Sequence, residues 1–345
     1  MAEKKKIAFI VNPISGIQSK DAILKMIDEL LDKEKYDYEI VKTEYAGHGT
    51  ELATNAAKQN IDIAVAIGGD GTVNEVARGI VHSNTALGII PCGSGNGLAR
   101  ALHISREPKA AIHILNKGKQ LCIDYGKINE IPFFCTCGVG FDAFISMKFA
   151  TAGKRGPMTY VQNILKQYLS YKPETYEVTT EDGTIRHKAF LITCANADQY
   201  GNNAYIAPQA SMNDGLLDVT ILEPFTVLDI GPLTFRLFNK TIDQDSRIKT
   251  FRTKKVTIHR ATPGVFHVDG DPIEGDKELT IEIIPKGLNI ITPDKETTPL
   301  SINPLTEIHN FFKGLQPLMN FTETSLKELK GKFPTPFDKN RESNS

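Results

Sequence analysis

The chain has 345 residues, of which 41% are hydrophobic and 23% charged, and its formal net charge is −1. These values are ordinary for a globular protein, and a nearly neutral chain has no overall field that attracts nucleic acid, so we expect no nucleic-acid partner. No apolar run approaches the roughly 20 residues that span a bilayer. The short run at 7–11 is typical of a strand and too short for a signal peptide. We therefore expect a cytoplasmic protein that is soluble or peripheral to a membrane.

Strands and helices alternate over the first 124 residues. Apolar runs typical of strands occur in KIAFIVNP, YEIVKT, IDIAVAI and ALGIIP, and helical spacing of apolar residues follows each of them. This order predicts an α/β domain, a parallel sheet with helices on both faces. Ligands of such sheets bind beyond the carboxyl ends of the strands. Three glycine-bearing segments would meet there: NPISG (12–16), GGDGT (68–72) and PCGSGNG (91–97).

From about residue 125 the pattern changes to strands separated by turns. This predicts an antiparallel β-rich domain, a sandwich, interrupted by helices within 141–171 and around 226–241. The last 15 residues, 331–345, are polar, and we expect them to be disordered.

The GGDGT segment joins a buried strand to a helix. Its glycines permit positive φ and leave backbone N–H groups exposed beside a helix N-terminus, where phosphate binds well. The bland alternative is a tight turn in which Asp70 or Thr72 caps the helix. Because PCGSGNG occupies the same kind of junction about 25 residues later, the pair favours a nucleotide across the sheet edge. Neither loop is a Walker A motif or a good dinucleotide fingerprint.

Together, GGDGTVNEV and PCGSGNGLAR resemble the diacylglycerol kinase catalytic domain family of lipid kinases, which includes sphingosine and ceramide kinases. The first motif is shared with NAD kinases, and the second separates the lipid kinases from them. The resemblance extends over residues 5–292 through NPISG, GVGFDA (138–143), NDGLLDV (213–219) and VDGD (268–271). It implies an ATP-binding α/β domain over 1–124, to which 288–330 return, and a β-sandwich domain over 125–287. The active site would lie in the cleft between the two.

The resemblance also implies which residues bind ATP. The positions that match the family's nucleotide-contacting residues are Asn12, Thr43, Gly68, Gly69, Asp70, Gly71, Thr72, Glu75, Gly93, Ser94, Gly95 and Asn96.

The implied reaction is in-line transfer of the γ-phosphoryl group of ATP to a lipid hydroxyl. Such transfer needs positioning, charge neutralisation by Mg²⁺ and a carboxylate near the attacking hydroxyl. Members of the family assign the base role either to the carboxylate of the first loop, here Asp70, or to the glutamate of a late DGE turn. Here that turn has Asp271 in place of glutamate, so both aspartates are candidate catalytic residues. Without the resemblance, VDGD would be taken for an ordinary hairpin turn.

Two further positions have implied ligands. Asp214, with the backbone carbonyls of Ser211 and Leu216, matches a structural Mg²⁺ site, and oxygen ligands suit that ion. Asp142 in GVGFDA matches a position near the acceptor headgroup, where a carboxylate could bind an ammonium or a glycerol hydroxyl. The bland alternatives are a turn that opens a buried strand at Asp214 and a helix N-cap at Asp142.

The identity of the acceptor stays open between diacylglycerol and a sphingoid base. GSGN at 93–96 resembles sphingosine and ceramide kinases, whereas the compact length resembles bacterial enzymes. A membrane lipid substrate implies peripheral contact with the inner membrane face, and segments 144–171 and 305–318 are candidate docking surfaces. A homodimer is also left open. The alternatives are a NAD kinase and a non-catalytic nucleotide-binding regulator, the latter favoured only by the DGD turn.

Overall fold

The computed structural model describes residues 3–16, 19–152, 168 and 170–294. The helices in this part of the chain are α1 (Lys20–Leu30), α2 (His48–Lys58), α3 (Asp70–Ile80), α4 (Gly97–Ala101), α5 (Pro108–Lys117), α6 (Phe141–Ala152) and α7 (Ile230–Phe238). The first eight strands are β1 (Lys5–Val11), β2 (Tyr36–Lys42), β3 (Ile63–Gly68), β4 (Ala86–Pro91), β5 (Lys119–Ile128), β6 (Ile131–Phe133), β7 (Thr136–Gly140) and β8 (Glu174–Thr180). The others are β9 (Gly183–Ala189), β10 (Leu191–Ala195), β11 (Leu217–Leu222), β12 (Ile248–Thr253), β13 (Lys255–Arg260), β14 (Gly264–Val268), β15 (Asp271–Gly275) and β16 (Glu278–Thr292).

Local sequence signals set several helix ends. The hydroxyl of Ser19 accepts a hydrogen bond from the Ala22 N–H and caps α1, as is typical of serine at an N-cap. Pro108 opens α5, where its missing N–H costs nothing, and Gly118 follows the last residue of that helix. The predicted helices in the second half of the chain are confirmed as α6 and α7.

The first four strands form the predicted parallel sheet in the order β2-β1-β3-β4. Their carboxyl ends lie level, because Val11 pairs with Lys42 and Ile67, and Gly68 pairs with Pro91. On the helical layers, α2 packs against α3 and α1 against α5. The buried side chains of this half form one continuous hydrophobic cluster that includes Phe9, Ile67, Val76 and Leu87.

The long strand β16 extends the same sheet into the second half of the chain. Near its end, β16 pairs with β4 in parallel, with Ile290 opposite Leu87. It also pairs with β5 and β13, in both cases antiparallel. Strands β8 and β9 continue the sheet beyond β13, which gives ten strands in all among the described residues.

A second sheet of six strands, in the order β12-β11-β10-β7-β14-β15, is antiparallel throughout. Its inward side chains share a core with those of the large sheet. The members include Val139, Ile192, Val219 and Phe266 from the small sheet and Tyr176, Val178, Ile258 and Ile281 from the large one. The predicted fold class, an α/β domain with a β-sandwich, is confirmed.

Residues 1–151 and 172–301 form one compact unit, and 152–171 with 302–345 form another. The structure describes little of the second unit, so the predicted tail (331–345), the docking segment 305–318 and the return of 293–330 to the first domain lie almost entirely outside the described residues. Residues 288–292 do lie in the large sheet, within β16. The predicted domain boundaries stay a prediction. No helix in the described ranges has both the length and the hydropathy of a membrane span.

Candidate active site

The loops after β1, β2 and β3 meet at the carboxyl edge of the parallel sheet. The Asn12 Nδ2 donates to Thr72 Oγ1 at 3.1 Å, which ties the loop after β1 to the start of α3. The N–H of the buried Thr43 donates to the Val11 C=O at 2.9 Å. The structure therefore brings Asn12, Thr43 and the GGDGT segment together, as the sequence predicts.

The two glycine-rich loops lie in direct backbone contact. A Cβ on Gly93 would come within 2.8 Å of the Gly69 Cα, and a Cβ on Gly95 would come within 2.8 Å of Asp70 Oδ2. At Gly71, by contrast, a Cβ would meet nothing within 4 Å. The fold therefore requires glycine at 93, and a larger residue at 95 would displace the Asp70 carboxylate. At 71 the space is free of the residues that the structure describes.

Asp70 does not cap its own helix. Its Oδ2 accepts the Asn96 N–H at 2.8 Å and its Oδ1 accepts the Gly97 N–H at 2.7 Å, so its carboxylate caps α4 in the second loop. The N-cap of α3 is Gly69, which makes no side-chain hydrogen bond. The prediction that Asp70 or Thr72 caps α3 is therefore wrong. A side chain in the first turn of a helix points back toward the start of that helix, and from this position the Asp70 carboxylate reaches the second glycine-rich loop. The first amides of α3 consequently have no side-chain cap, which suits an anion.

Asn96 and Ser94 have different places in the second loop. Asn96 is 4% exposed, adopts φ +51° and exchanges two hydrogen bonds with the backbone of Gly93, at 3.0 and 2.7 Å. Its side chain therefore shapes the loop. Ser94 is exposed at the loop surface, where its hydroxyl is accessible to a ligand.

Glu75 is engaged away from the second loop. Its Oε1 accepts the Gly47 N–H at 2.8 Å and its Oε2 accepts the Gly49 N–H at 3.0 Å. Gly47 is the N-cap of α2 and Gly49 lies in its first turn, so the carboxylate of Glu75 holds the start of α2 to α3. Its predicted contact with nucleotide stays a prediction.

The VDGD segment forms the turn between β14 and β15. Asp269 and Gly270 both have positive φ, +51° and +90°, as in the two-residue turns that favour Asp-Gly. The Asp269 carboxylate is clamped by three backbone amides, those of Phe134, Cys135 and Thr136, at 2.9, 2.7 and 3.0 Å. Burial raises the pKa of Asp269 above its ordinary value, and these amides act in the opposite direction. The turn is therefore fixed to the segment that leads into β7.

Asp271 follows the turn and reaches solvent on one side. Desolvation by the surrounding protein is the main cause that raises the pKa of its carboxyl group, and the negative charges of Asp70 and Glu75 act in the same direction. The two predicted catalytic carboxylates thus lie close enough to interact. A carboxyl group with a raised pKa is a better proton acceptor, which suits a general base.

Asp142 is the centre of a buried polar network. Its Oδ2 lies 3.0 Å from Thr193 Oγ1, 3.2 Å from the Tyr200 hydroxyl and 3.1 Å from His267 Nε2, and its Oδ1 accepts the Ala143 N–H at 2.8 Å. The side chains of Asp142 and His267 are only 11% and 3% exposed. Since the Gly270 N–H donates to His267 Nδ1 at 3.4 Å, Nε2 carries the proton that faces Asp142. This network connects the predicted headgroup position to the VDGD turn, and direct contact of Asp142 with an acceptor stays a prediction.

The side chain of Arg252 lies beside the predicted Mg²⁺ position at Asp214. Asp214 Oδ1 accepts the Leu216 N–H at 3.1 Å, and its Oδ2 lies 3.9 Å from Arg252 Nη1. The Nε of the same guanidinium donates to Asp218 at 3.0 Å. The hydroxyl of Ser211 donates to the Asn213 side chain. No group of three or more His, Cys, Asp or Glu side chains in the described ranges is arranged to hold a metal ion. A site made of the Asp214 carboxylate and the backbone carbonyls of Ser211 and Leu216 stays a prediction.

Sequence reasoning missed Thr193, Tyr200 and His267. The sequence shows only that His267 lies in the strand that leads into the VDGD turn, and this nearness does not link it to Asp142. Thr193 and Tyr200 carry no sequence signal either, since they reach Asp142 only through the pairing of β10 with β7 and the loop that follows β10.

Comparison with known proteins identifies two family domains in the chain. Residues 6–128 match the diacylglycerol kinase catalytic domain, and residues 136–292 match the YegS C-terminal NAD kinase beta sandwich-like domain. The two matches correspond to the parallel part of the large sheet with its helices and to the sandwich.

Several relatives carry the name diacylglycerol kinase. The chain is 28% identical over 274 residues to one from Bacillus subtilis, covering 77% of this chain and 90% of the relative. It is 25% identical over 272 residues to one from Staphylococcus saprophyticus, covering 78% and 89%. A crystal structure of a diacylglycerol kinase from Bacillus anthracis superposes with a TM-score of 0.65 at 18% identity, covering 85% of this chain and 98% of the other, which supports the fold. The two domain matches and these relatives agree with the paired glycine-rich loops and the VDGD turn, and the chain belongs to the diacylglycerol kinase family of lipid kinases.

Proposed function

We propose that this protein transfers the γ-phosphoryl group of ATP, as its Mg²⁺ complex, to the hydroxyl of diacylglycerol. One observation carries the nucleotide half of the proposal. The start of α3 has no side-chain cap, and the space beside Gly71 within its first turn is open. An anion there would meet the first amides of α3, which no described side chain caps, and the positive end of the helix dipole. ATP phosphates fit this place, and Ser94 is accessible on the neighbouring loop.

The acceptor side of the proposal rests on the carboxylates opposite that loop. Asp271 is positioned by the clamped VDGD turn and has a raised pKa, so it is our choice for the group that accepts the hydroxyl proton. Asp70 is committed through both oxygens to the second glycine-rich loop. We therefore assign it the role of fixing the two loops around the phosphates.

We choose diacylglycerol because the relatives from Bacillus and Staphylococcus are named for it. A sphingoid base remains the second candidate, since its ammonium would need a carboxylate and Asp142 is the one in the matching position. Against it, both oxygens of Asp142 already accept hydrogen bonds within the protein. Because either acceptor resides in a bilayer, the proposal includes peripheral contact with a membrane.

A transfer assay with a glycine variant tests the proposal. Purified protein is incubated with labelled ATP, Mg²⁺ and separate vesicles that contain diacylglycerol, sphingosine, ceramide or phosphatidylglycerol, with NAD as a soluble alternative. We expect label in phosphatidate. Label in NADP alone would show a NAD kinase, and no transfer at all would leave a nucleotide-binding regulator.

The variant Gly71→Ala tests the phosphate site itself. Alanine fits the open space and favours a helix by up to about 1 kcal/mol, so the variant should unfold at or above the wild-type temperature. Its methyl group would nevertheless stand where the phosphates approach, so we expect the KM for ATP to rise about tenfold, equivalent to about 1.4 kcal/mol. Gly231→Ala in α7, where a Cβ also meets nothing within 4 Å, is the matched control. Equal ATP kinetics in both variants would place the phosphates elsewhere.

A further inference from the structure

One face of α3 carries three polar side chains. Asp70, Asn74 and Arg78 are spaced four residues apart, so they lie above one another on one face. Val76, Ala77 and Ile80 are buried on the sheet side. Gly79 approaches the backbone of α2, and the Glu75 side chain holds the start of that helix. The Asp70–Asn74–Arg78 row is therefore the remaining face.

This row carries donors that lack partners. Asn74 is 4% exposed, and both its Nδ2 and the Nε of Arg78 are buried without a hydrogen-bond partner among the described residues. Leaving a buried donor unpaired costs about 1–3 kcal/mol, so such groups are rare in native proteins and call for an explanation. Two of them one helical turn apart indicate a partner that arrives from outside the helix.

The VDGD turn supplies an acceptor that is also unused. Asp269 is held by three amides, whereas the carboxylate of Asp271 accepts no hydrogen bond from the residues that the structure describes. The titratable groups that act on Asp271 include the charged side chains of Asp70, Glu75 and Arg78 from α3 and the imidazole of His267 from β14. Arg78 acts on Asp269 as well, so its charge partly balances this acidic turn.

We propose that Arg78 is the positioning residue for Asp271, donating from Nε to its carboxylate when ATP and the acceptor fill the cleft. The inference rests on the proposed function, in which Asp271 accepts the hydroxyl proton. In that step the acceptor oxygen bonds to the γ-phosphorus, the bond from the γ-phosphorus to the β,γ-bridging oxygen breaks, ADP leaves and the proton passes to Asp271. The aspartate is one methylene shorter than the glutamate found in related turns, and the anchor from α3 directs the shorter side chain toward the hydroxyl.

The pairing has a consequence for pH dependence. Arg78 lowers the pKa of Asp271, against the raising effects of burial, Asp70 and Glu75. Removing the guanidinium should therefore raise that pKa, so that the base is protonated, and activity lost, at a higher pH than in the wild type. The loss of activity toward low pH forms the acidic limb of the pH–activity profile. A merely structural role for Arg78 would leave the position of this acidic limb unchanged.

The test compares Arg78→Gln, Arg78→Lys and a control, Arg106→Gln, in which the replaced arginine is exposed. We measure kcat and KM for ATP and diacylglycerol in mixed micelles between pH 5 and 9. For Arg78→Gln we expect kcat to fall at least about tenfold, the KM for ATP to stay within about twofold, and the acidic limb to move upward by at least about half a pH unit. Arg78→Lys keeps the positive charge but lacks the planar guanidinium with its fixed donors. We therefore expect this variant to keep the acidic limb at the wild-type pH and to recover only part of kcat.

The outcomes separate this inference from the proposed function. If the wild type transfers label to no lipid, the proposed function fails. If the wild type is active and Arg78→Gln keeps its kcat and acidic limb, or Arg106→Gln shows the same losses, the role of Arg78 is overturned. Should Arg78→Gln fail to fold, Arg78→Lys decides, because a lysine variant with wild-type kcat would show that no directed hydrogen bond is needed.

Discussion

Asp70 shows how one carboxylate can join two motifs that the sequence presents separately. It belongs to the first glycine-rich loop, yet both of its oxygens bind amides of the second loop, those of Asn96 and Gly97. A carboxylate at a helix start gains from the unpaired amides and from the helix dipole. Asp70 is therefore first of all a clamp between the two loops, and the position of the proposed phosphate site depends on it.

We expect Asp70→Asn to weaken both the clamp and the reaction. The amide can accept from only one of the two N–H groups, so the free energy of unfolding should fall by about 1 kcal/mol, as measured by urea denaturation. Because the second loop is then released, turnover should fall by about two orders of magnitude or more. Asp21→Asn, in the first turn of α1 and exposed, is the matched control. Wild-type turnover in Asp70→Asn would remove this residue from the site.

Elements differ in how far the sequence specifies their contacts. The alternation of β1 to β4 with their helices follows from local periodicity, and the glycine-rich loops follow from the parallel order, so the sheet edge was predictable. The Asp142 network was not, because Thr193 and His267 reach Asp142 from β10 and β14, which flank β7. Strand pairing over such distances depends on the whole fold and leaves no local pattern. The capping of α4 by Asp70 was missed for the same reason.

The segment that opens α7 gives a prediction about pH. Asp229 accepts hydrogen bonds from the N–H and hydroxyl of Thr226 and pairs with Arg247. The bond from the Thr226 N–H, then that from its hydroxyl, and the arginine hold the pKa of Asp229 at about 2, below its ordinary 3.8.

Since the pKa of Asp229 is lowered by folding, its contribution to stability is full above pH 4 and is lost as pH falls from about 4 to 2. We expect Asp229→Asn to lower the urea midpoint at pH 6, and we expect this difference from the wild type to shrink at pH 3. Asp182→Asn, in the exposed turn between β8 and β9, controls for the change in net charge. A difference that grows toward low pH would contradict the assignment.

At the scale of the whole molecule, β16 joins the two halves of the described chain in one sheet. It lies beside β4 in the nucleotide half and beside β13 in the sandwich half, and Leu288 and Ile290 are fully buried within it. The two family domains therefore share a sheet, although their sequence matches are separate.

We expect Ile290→Ala to destabilise both halves together. Truncating a buried isoleucine costs about 2–5 kcal/mol, and hydrogen exchange should accelerate in β3 and in β13 to a similar extent. Ile185→Ala on β9, where the side chain is 43% exposed, should change exchange little. Faster exchange confined to the strands before residue 92 would show that the halves unfold independently.

The same strand has a consequence for the order of events during synthesis. Asn289 donates to the carbonyl of Ser83 across 206 residues of chain, so the edge of β4 stays open until the ribosome has made nearly the whole described sequence. At about 5–20 residues per second this interval lasts roughly 10–40 seconds, during which an apolar parallel strand offers unpaired backbone to other chains. We therefore expect the unpaired edge of β4 to be the surface of the nascent chain on which a chaperone acts.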